Sequence, residues 1–168
     1  MATVDAEYLI RLSAGRSVAI AGGTAKQNHA LDYLRSYSIS ATREVWGGSG
    51  SLADAATVDI DLGALVQLDD DGATVRASFA MGKVQAVAVM NTGAVGGAGY
   101  LIVGGADSNP WSGDGTLFKA GTDTACVQPG GVLVWDNPNA VAVSASADVI
   151  RLTASEAQTY EILIIGQT

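Results

Sequence analysis

Thr124–Ile165 reads TACVQPGGVLVWDNPNAVAVSASADVIRLTASEAQTYEILII, and its rhythm decides the fold class. Short apolar runs (Thr124 to Val127, Val132 to Trp135, Ala140 to Ser144, Val149 to Thr153, Tyr160 to Ile165) alternate with turn formers such as Gln128-Pro129-Gly130-Gly131 and Asp136-Asn137-Pro138-Asn139. Runs this short, rich in Val and Ile and recurring every 8 to 12 residues or so, read as strands of a sandwich or barrel. Each such strand has an apolar face that a second layer must cover. The expected fold is all-β: an antiparallel β-sandwich or jelly-roll-like barrel with at most one or two short helices.

Upstream of this stretch, Val84 to Thr92 (VQAVAVMNT) is a nearly continuous apolar run, as suits a central strand buried on both faces. The small residues Gly93 to Gly99 then predict a hairpin to Tyr100–Val103. Ala106 to Gly121 holds Asn109-Pro110-Trp111 and Asp114-Gly115, too many turn formers for a regular element, and reads as a polar loop. In Thr57 to Leu68 (TVDIDLGALVQL), Val58 and Ile60 alternate as in a strand. Asp61, followed by Leu62, Ala64, Leu65 and Val66, predicts an N-capped helical turn.

Nearer the start, Leu31 to Trp46 sets Leu31, Tyr33, Tyr37, Ile39, Ala41 and Val45 on one side of a strand, with Arg35 and Arg43 interrupting them. Asp32, Ser36, Ser38, Ser40, Thr42 and Glu44 fall on the other. A period of two over this length predicts one long bent strand or a strand pair. Gly47-Gly48-Ser49-Gly50-Ser51 then predicts a wide turn, because small flexible residues hold a ladder poorly. The length suits a single domain over 1–168, with 1–16 either an ordinary first strand or an extended N-terminal arm.

The chain carries 9 basic and 17 acidic residues, a net charge of −8. An acidic chain with its cations scattered is repelled by phosphate backbones, so nucleic acid is not an expected partner. No apolar run approaches a membrane span, and Met1–Ile10 carries Asp5 and Glu7 with no basic n-region. Neither membrane insertion nor export is expected. Charged residues make up only 15% of the chain, which suggests surface covered in an assembly.

Catalytic chemistry finds few candidates. His29 is the only imidazole, set in Lys26-Gln27-Asn28-His29 as a surface or loop residue, and no GxSxG elbow accompanies it. Cys126, between Ala125 and Val127, reads as an inert buried thiol. One Cys and one His make a zinc site improbable chemistry. Asp69-Asp70-Asp71-Gly72 concentrates oxygen donors, with Asp59 and Asp61 as the acids that would join them, yet it lacks the spacing of an EF-hand and reads as a solvated turn. The glycine clusters lack the Lys-Ser/Thr of a phosphate loop. No catalytic, cofactor-binding or metal-binding residues are assigned, and no cofactor is expected. Trp46, Trp111 and Trp135 read as core or loop anchors. The candidate partner or glycan contacts are Trp111 and Trp46, since an exposed indole stacks on sugars.

The order of pieces DLGALVQL (Asp61 to Leu68), VQAVAVMNTG (Val84 to Gly93), a Trp-containing loop, PGGVLVWDNP (Pro129 to Pro138), DVIRLTAS (Asp148 to Ser155) and YEILIIG (Tyr160 to Gly166) resembles small virion proteins of tailed bacteriophages. The resemblance is to the capsid decoration, or cement, type and covers roughly 57 to 166. It implies a β-sandwich on the outer capsid surface, bound to the major capsid protein as a homotrimer, made in the host cytoplasm and without enzymatic activity. The alternatives are a tail fibre, spike or baseplate module that binds host glycan, and, third, a hydrolase working through paired acids.

Overall fold

Alternation along the chain becomes alternation of burial. In Val149–Ala154, Ile150, Leu152 and Ala154 are buried while the residues between them are half-exposed. This is the period of two that a strand imposes when one face meets a core. The computed structural model describes residues 5–20, 23–38, 43–68 and 74–168, with side chains described for 44–66 and 79–168. Its strands are, in order, β1 Asp5–Ile20, β2 Gly23–Ser38, β3 Arg43–Leu52, β4 Thr57–Asp61, β5 Leu65–Leu68, β6 Thr74–Phe79, β7 Lys83–Asn91, β8 Leu101–Gly104, β9 Thr124–Val127, β10 Val132–Ala142, β11 Val149–Ala154 and β12 Gln158–Gln167. The described residues contain no helix, and the fold is all-β as expected.

Contacts divide the chain into two units, Met1–Ser40 and Ala41–Thr168, where the sequence suggests one domain over 1–168. The first unit is the antiparallel pair β1–β2, from Asp5 opposite Ser38 to Ile20 opposite Gly23. Residues 5–16 of the proposed arm thus form the first part of a strand.

The second unit is a sandwich of two antiparallel sheets, ordered β10-β7-β12-β3 and β4-β11-β8-β9, with β5–β6 as a separate pair. Its core is apolar, with Leu62, Val84, Val89, Leu101, Leu152 and Ile164 fully buried. Most connections cross from one sheet to the other, and β8–β9 is the one adjacent pair in chain order that stays within a four-stranded sheet. The hairpin expected between Val84–Thr92 and Tyr100–Val103 is therefore an arch, since β7 and β8 belong to different sheets. Buried amides hold the arch. Asn91 Nδ2 donates to Val127 O at 3.1 Å and to Gln158 Oε1 at 3.0 Å. Gly93 N donates to Asn91 Oδ1 at 3.0 Å, and Gln158 Nε2 to Ala98 O at 2.9 Å.

Three further local expectations are corrected. Gly47–Ser51 is not a turn but the middle of β3, in continuous register with β12 from Leu52↔Gln158 to Arg43↔Gln167. Here the glycines make room for rings. A Cβ on Gly48 would lie 2.7 Å from the Trp46 indole, and one on Gly50 2.9 Å from Tyr160 Oη. Aromatic cover supplies the packing that the missing side chains cannot.

Asp61 begins a tight turn rather than a helical one: Gly63 N donates to Asp61 Oδ1 at 2.8 Å and Ala64 N to Asp61 O at 3.1 Å. A short acid caps either structure, and here the chain continues into β5. Asp136–Asn139 lies inside β10 as a bulge. Register with β7 jumps from Asp136↔Ala86 to Val141↔Val84, and Ala140 takes φ 51°.

Candidate interaction surface

The sandwich presents two different outer surfaces. On the β4-β11-β8-β9 sheet, register places Arg151 opposite Asp59, so the pair meets side by side across two strands. Arg151 Nε and Nη2 donate to the two carboxylate oxygens of Asp59 at 2.7 and 2.9 Å, while Nη1 donates to Asp107 Oδ2 at 2.5 Å. The two-pronged geometry is the strong form of an arginine–carboxylate pair. The hydrogen bond from Arg151 holds the Asp59 carboxyl below its usual range, with partial desolvation opposing and the positive charge helping.

A depressed carboxylate stabilises the fold above its unfolded value, near 3.8, and that contribution is lost as pH falls through the lower folded value. Asp59 keeps 43% of its exposure, so solvent screening limits the pair to about 1 kcal/mol or less. Asp59→Asn is expected to flatten the acid limb of a stability–pH curve read from urea midpoints below pH 4. Parallel curves for the variant and the wild type would remove this role.

The outer face of β10-β7-β12-β3 is apolar and open. Register sets Val132 opposite Met90, and Val134 opposite Ala88, which is opposite Leu163. Val132 is 60% exposed, Met90 40% and Leu163 37%. Glu161, opposite Met90, and Asp136, opposite Ala86, are the charged neighbours, and β3 adds Gly47 and Ser49 at the edge. A cluster three strands wide, unlike scattered single apolar residues, marks an interaction surface.

The residues singled out in the sequence are dispersed. Trp111 and Trp46 are 3% and 7% exposed, in the core. Their indole N–H groups donate to Ala142 O at 3.3 Å and Val66 O at 2.9 Å. Trp135 meets Trp111 edge-on, with ring centroids 5.0 Å apart. Cys126 lies in β9 as expected but is exposed rather than buried, because Val127 takes the inward position and Cys126 must face out.

His29 falls in β2 opposite Ala14, with its side chain outside the described set. Asp69, Asp70 and Asp71 lie outside the described residues. Asp59 is engaged by Arg151 and Asp61 caps its turn. Asp148, near Asp61, has its carboxyl raised by desolvation first and by the Asp61 charge second. Among the described residues no group of three or more His, Cys, Asp or Glu is placed to hold a metal ion. Beneath the loop, a cavity of about 10 Å³ lined by Trp111, Phe118 and Val149 holds one water at most.

The sequence reading missed the open apolar face because VQAVAVM has apolar residues at both parities, which reads as burial on both sides. The signal was available in β12, where Leu163 breaks the outward polar series begun by Thr159 and Glu161. Comparison with family models, with curated proteins and with solved structures finds no match.

Proposed function

We propose that this chain is a structural virion protein of a tailed phage, of the capsid decoration type, which binds the major capsid protein on the outer lattice as a homotrimer. The observation that carries the reading is the open apolar face formed by Val132, Met90 and Leu163, on a sandwich whose opposite face carries the Arg151–Asp59 and Arg151–Asp107 ion pairs. The resemblance over roughly 57 to 166 supplies the partner. A ligand that binds only the assembled lattice stabilises it by mass action, in proportion to occupancy. Three linked copies turn a small apolar contact into firm attachment through effective concentration. The net charge of −8 favours a lattice site with basic residues at its rim.

The glycan-binding alternative needs an indole face open to a sugar, and the buried positions of Trp111 and Trp46 do not favour it. The test is binding of purified protein to particles of the source phage, imaged by electron cryomicroscopy and titrated by co-sedimentation. Density on the capsid lattice is the expected result. The double variant Val132→Lys/Leu163→Lys is expected to bind particles at least about 100-fold more weakly, with its thermal midpoint unchanged because both positions are exposed. Absence of the chain from purified particles, or undiminished binding by the double variant, overturns the proposal.

A further inference from the structure

β1 and β2 form a ribbon of two strands, and two strands alone are at best marginally stable in water. Its register sorts the residues by face. The even-numbered β1 positions pair as Ala6↔Tyr37, Tyr8↔Arg35, Ile10↔Tyr33, Leu12↔Leu31, Ala14↔His29, Arg16↔Gln27, Val18↔Ala25 and Ile20↔Gly23. Strand parity places all of these on one face, and only Arg16↔Gln27 lacks an apolar member. The opposite face carries Asp5↔Ser38, Glu7↔Ser36, Arg11↔Asp32 and Ser17↔Lys26, with Leu9↔Leu34 as its one large apolar pair.

We infer that the even-numbered face of the β1–β2 ribbon joins this chain to a second copy of itself. Sixteen residues per strand give a face about 50 Å long and about 10 Å wide. Two such faces remove about 1,000 Å² from water together, the scale at which specific interfaces begin. The charges agree with self-pairing. A cyclic arrangement about an axis along the ribbon sets β1 of one copy level with β2 of the next. Each position then meets its own register partner from the other copy: Leu12 with Leu31, Ile10 with Tyr33, Tyr8 with Arg35, Arg16 with Gln27. No cation meets a cation in that alignment, and Arg35 is set level with an aromatic residue.

The inference concerns copies of this chain alone and needs no capsid. Sedimentation of the full chain at micromolar concentration tests it. The wild type is expected to be oligomeric. Leu12→Asp and Leu31→Asp should raise the dissociation constant at least about 100-fold, and Ser13→Asp, on the opposite face, should leave it unchanged. Leu12→Thr retains strand propensity while removing apolar area, so a weakening of about 10-fold or more separates lost contact from a ribbon that fails to form. All three tryptophans lie within 41–168, so their fluorescence reports whether the sandwich stays folded in each variant. A monomeric wild type, assembly unaffected by Leu12→Asp, or dissociation by Ser13→Asp would overturn it. Assembly that survives in Val132→Lys/Leu163→Lys while particle binding is lost separates this contact from the capsid contact and supports it.

Discussion

Trp111→Ala is expected to lose about 3–5 kcal/mol of stability, enough to lower the thermal midpoint by roughly 10 °C or more. The indole is 3% exposed and packs edge-on against Trp135 with centroids 5.0 Å apart. It also fastens the long loop to the sandwich. Its backbone N–H donates to Val149 O at 2.8 Å, and its ring N–H to Ala142 O. Truncation therefore leaves a cavity between the loop and β11, together with an unpaired carbonyl. Thermal unfolding followed by the fluorescence of Trp46 and Trp135 measures the loss. A midpoint within about 2 °C of wild type, together with loss of binding to a glycan, would instead mark Trp111 as a sugar platform.

Asn91→Leu is expected to cost about 3–5 kcal/mol, although leucine nearly matches asparagine in size. Asn91 is fully buried and satisfies three partners from separate parts of the chain: Val127 O, Gln158 Oε1 and Gly93 N. Val127 O and Gln158 Oε1 each lose a buried donor, and the half-buried Gly93 N loses its acceptor. Gln158, 5% exposed, keeps only its bond to Ala98 O. The double variant Asn91→Leu/Gln158→Leu is expected to lose clearly less than the sum of the single losses, because the second change removes a group the first has orphaned. Urea midpoints of the four proteins provide the cycle, and strict additivity would show that the two amides act independently.

The sequence made the fold class plain because the deciding signal is local. Ile150, Leu152 and Ala154 alternate within six residues, and β11 and β12 fall where their apolar runs stand. The destination of each connection was not legible. Gln128-Pro129-Gly130-Gly131 has the same turn chemistry whether the chain stays in its sheet or crosses to the other. Gly47–Ser51 becomes a strand through Tyr160, a residue far along the chain whose ring fills the space over Gly50. The Arg151–Asp59 pair depends on β11 lying beside β4, a pairing that no spacing in the sequence announces. Of the candidate contacts, Trp111 and Trp46 carried the general affinity of indoles for partners, whereas Val132, Met90 and Leu163 needed the register of three strands to come together.

The position of β12 has a consequence for how the molecule is made. It is the last of the described strands in chain order, yet it lies between β7 and β3 and, among the described residues, it alone pairs with β3 in its sheet. During translation, β3 emerges early and waits through the synthesis of most of the sandwich for a partner. β7 meanwhile presents an apolar, unpaired edge. The β10-β7-β12-β3 sheet therefore cannot be completed until β12 leaves the ribosome. Such long-range closure is intrinsically slow, and the interval before it is when general chaperones have most to protect.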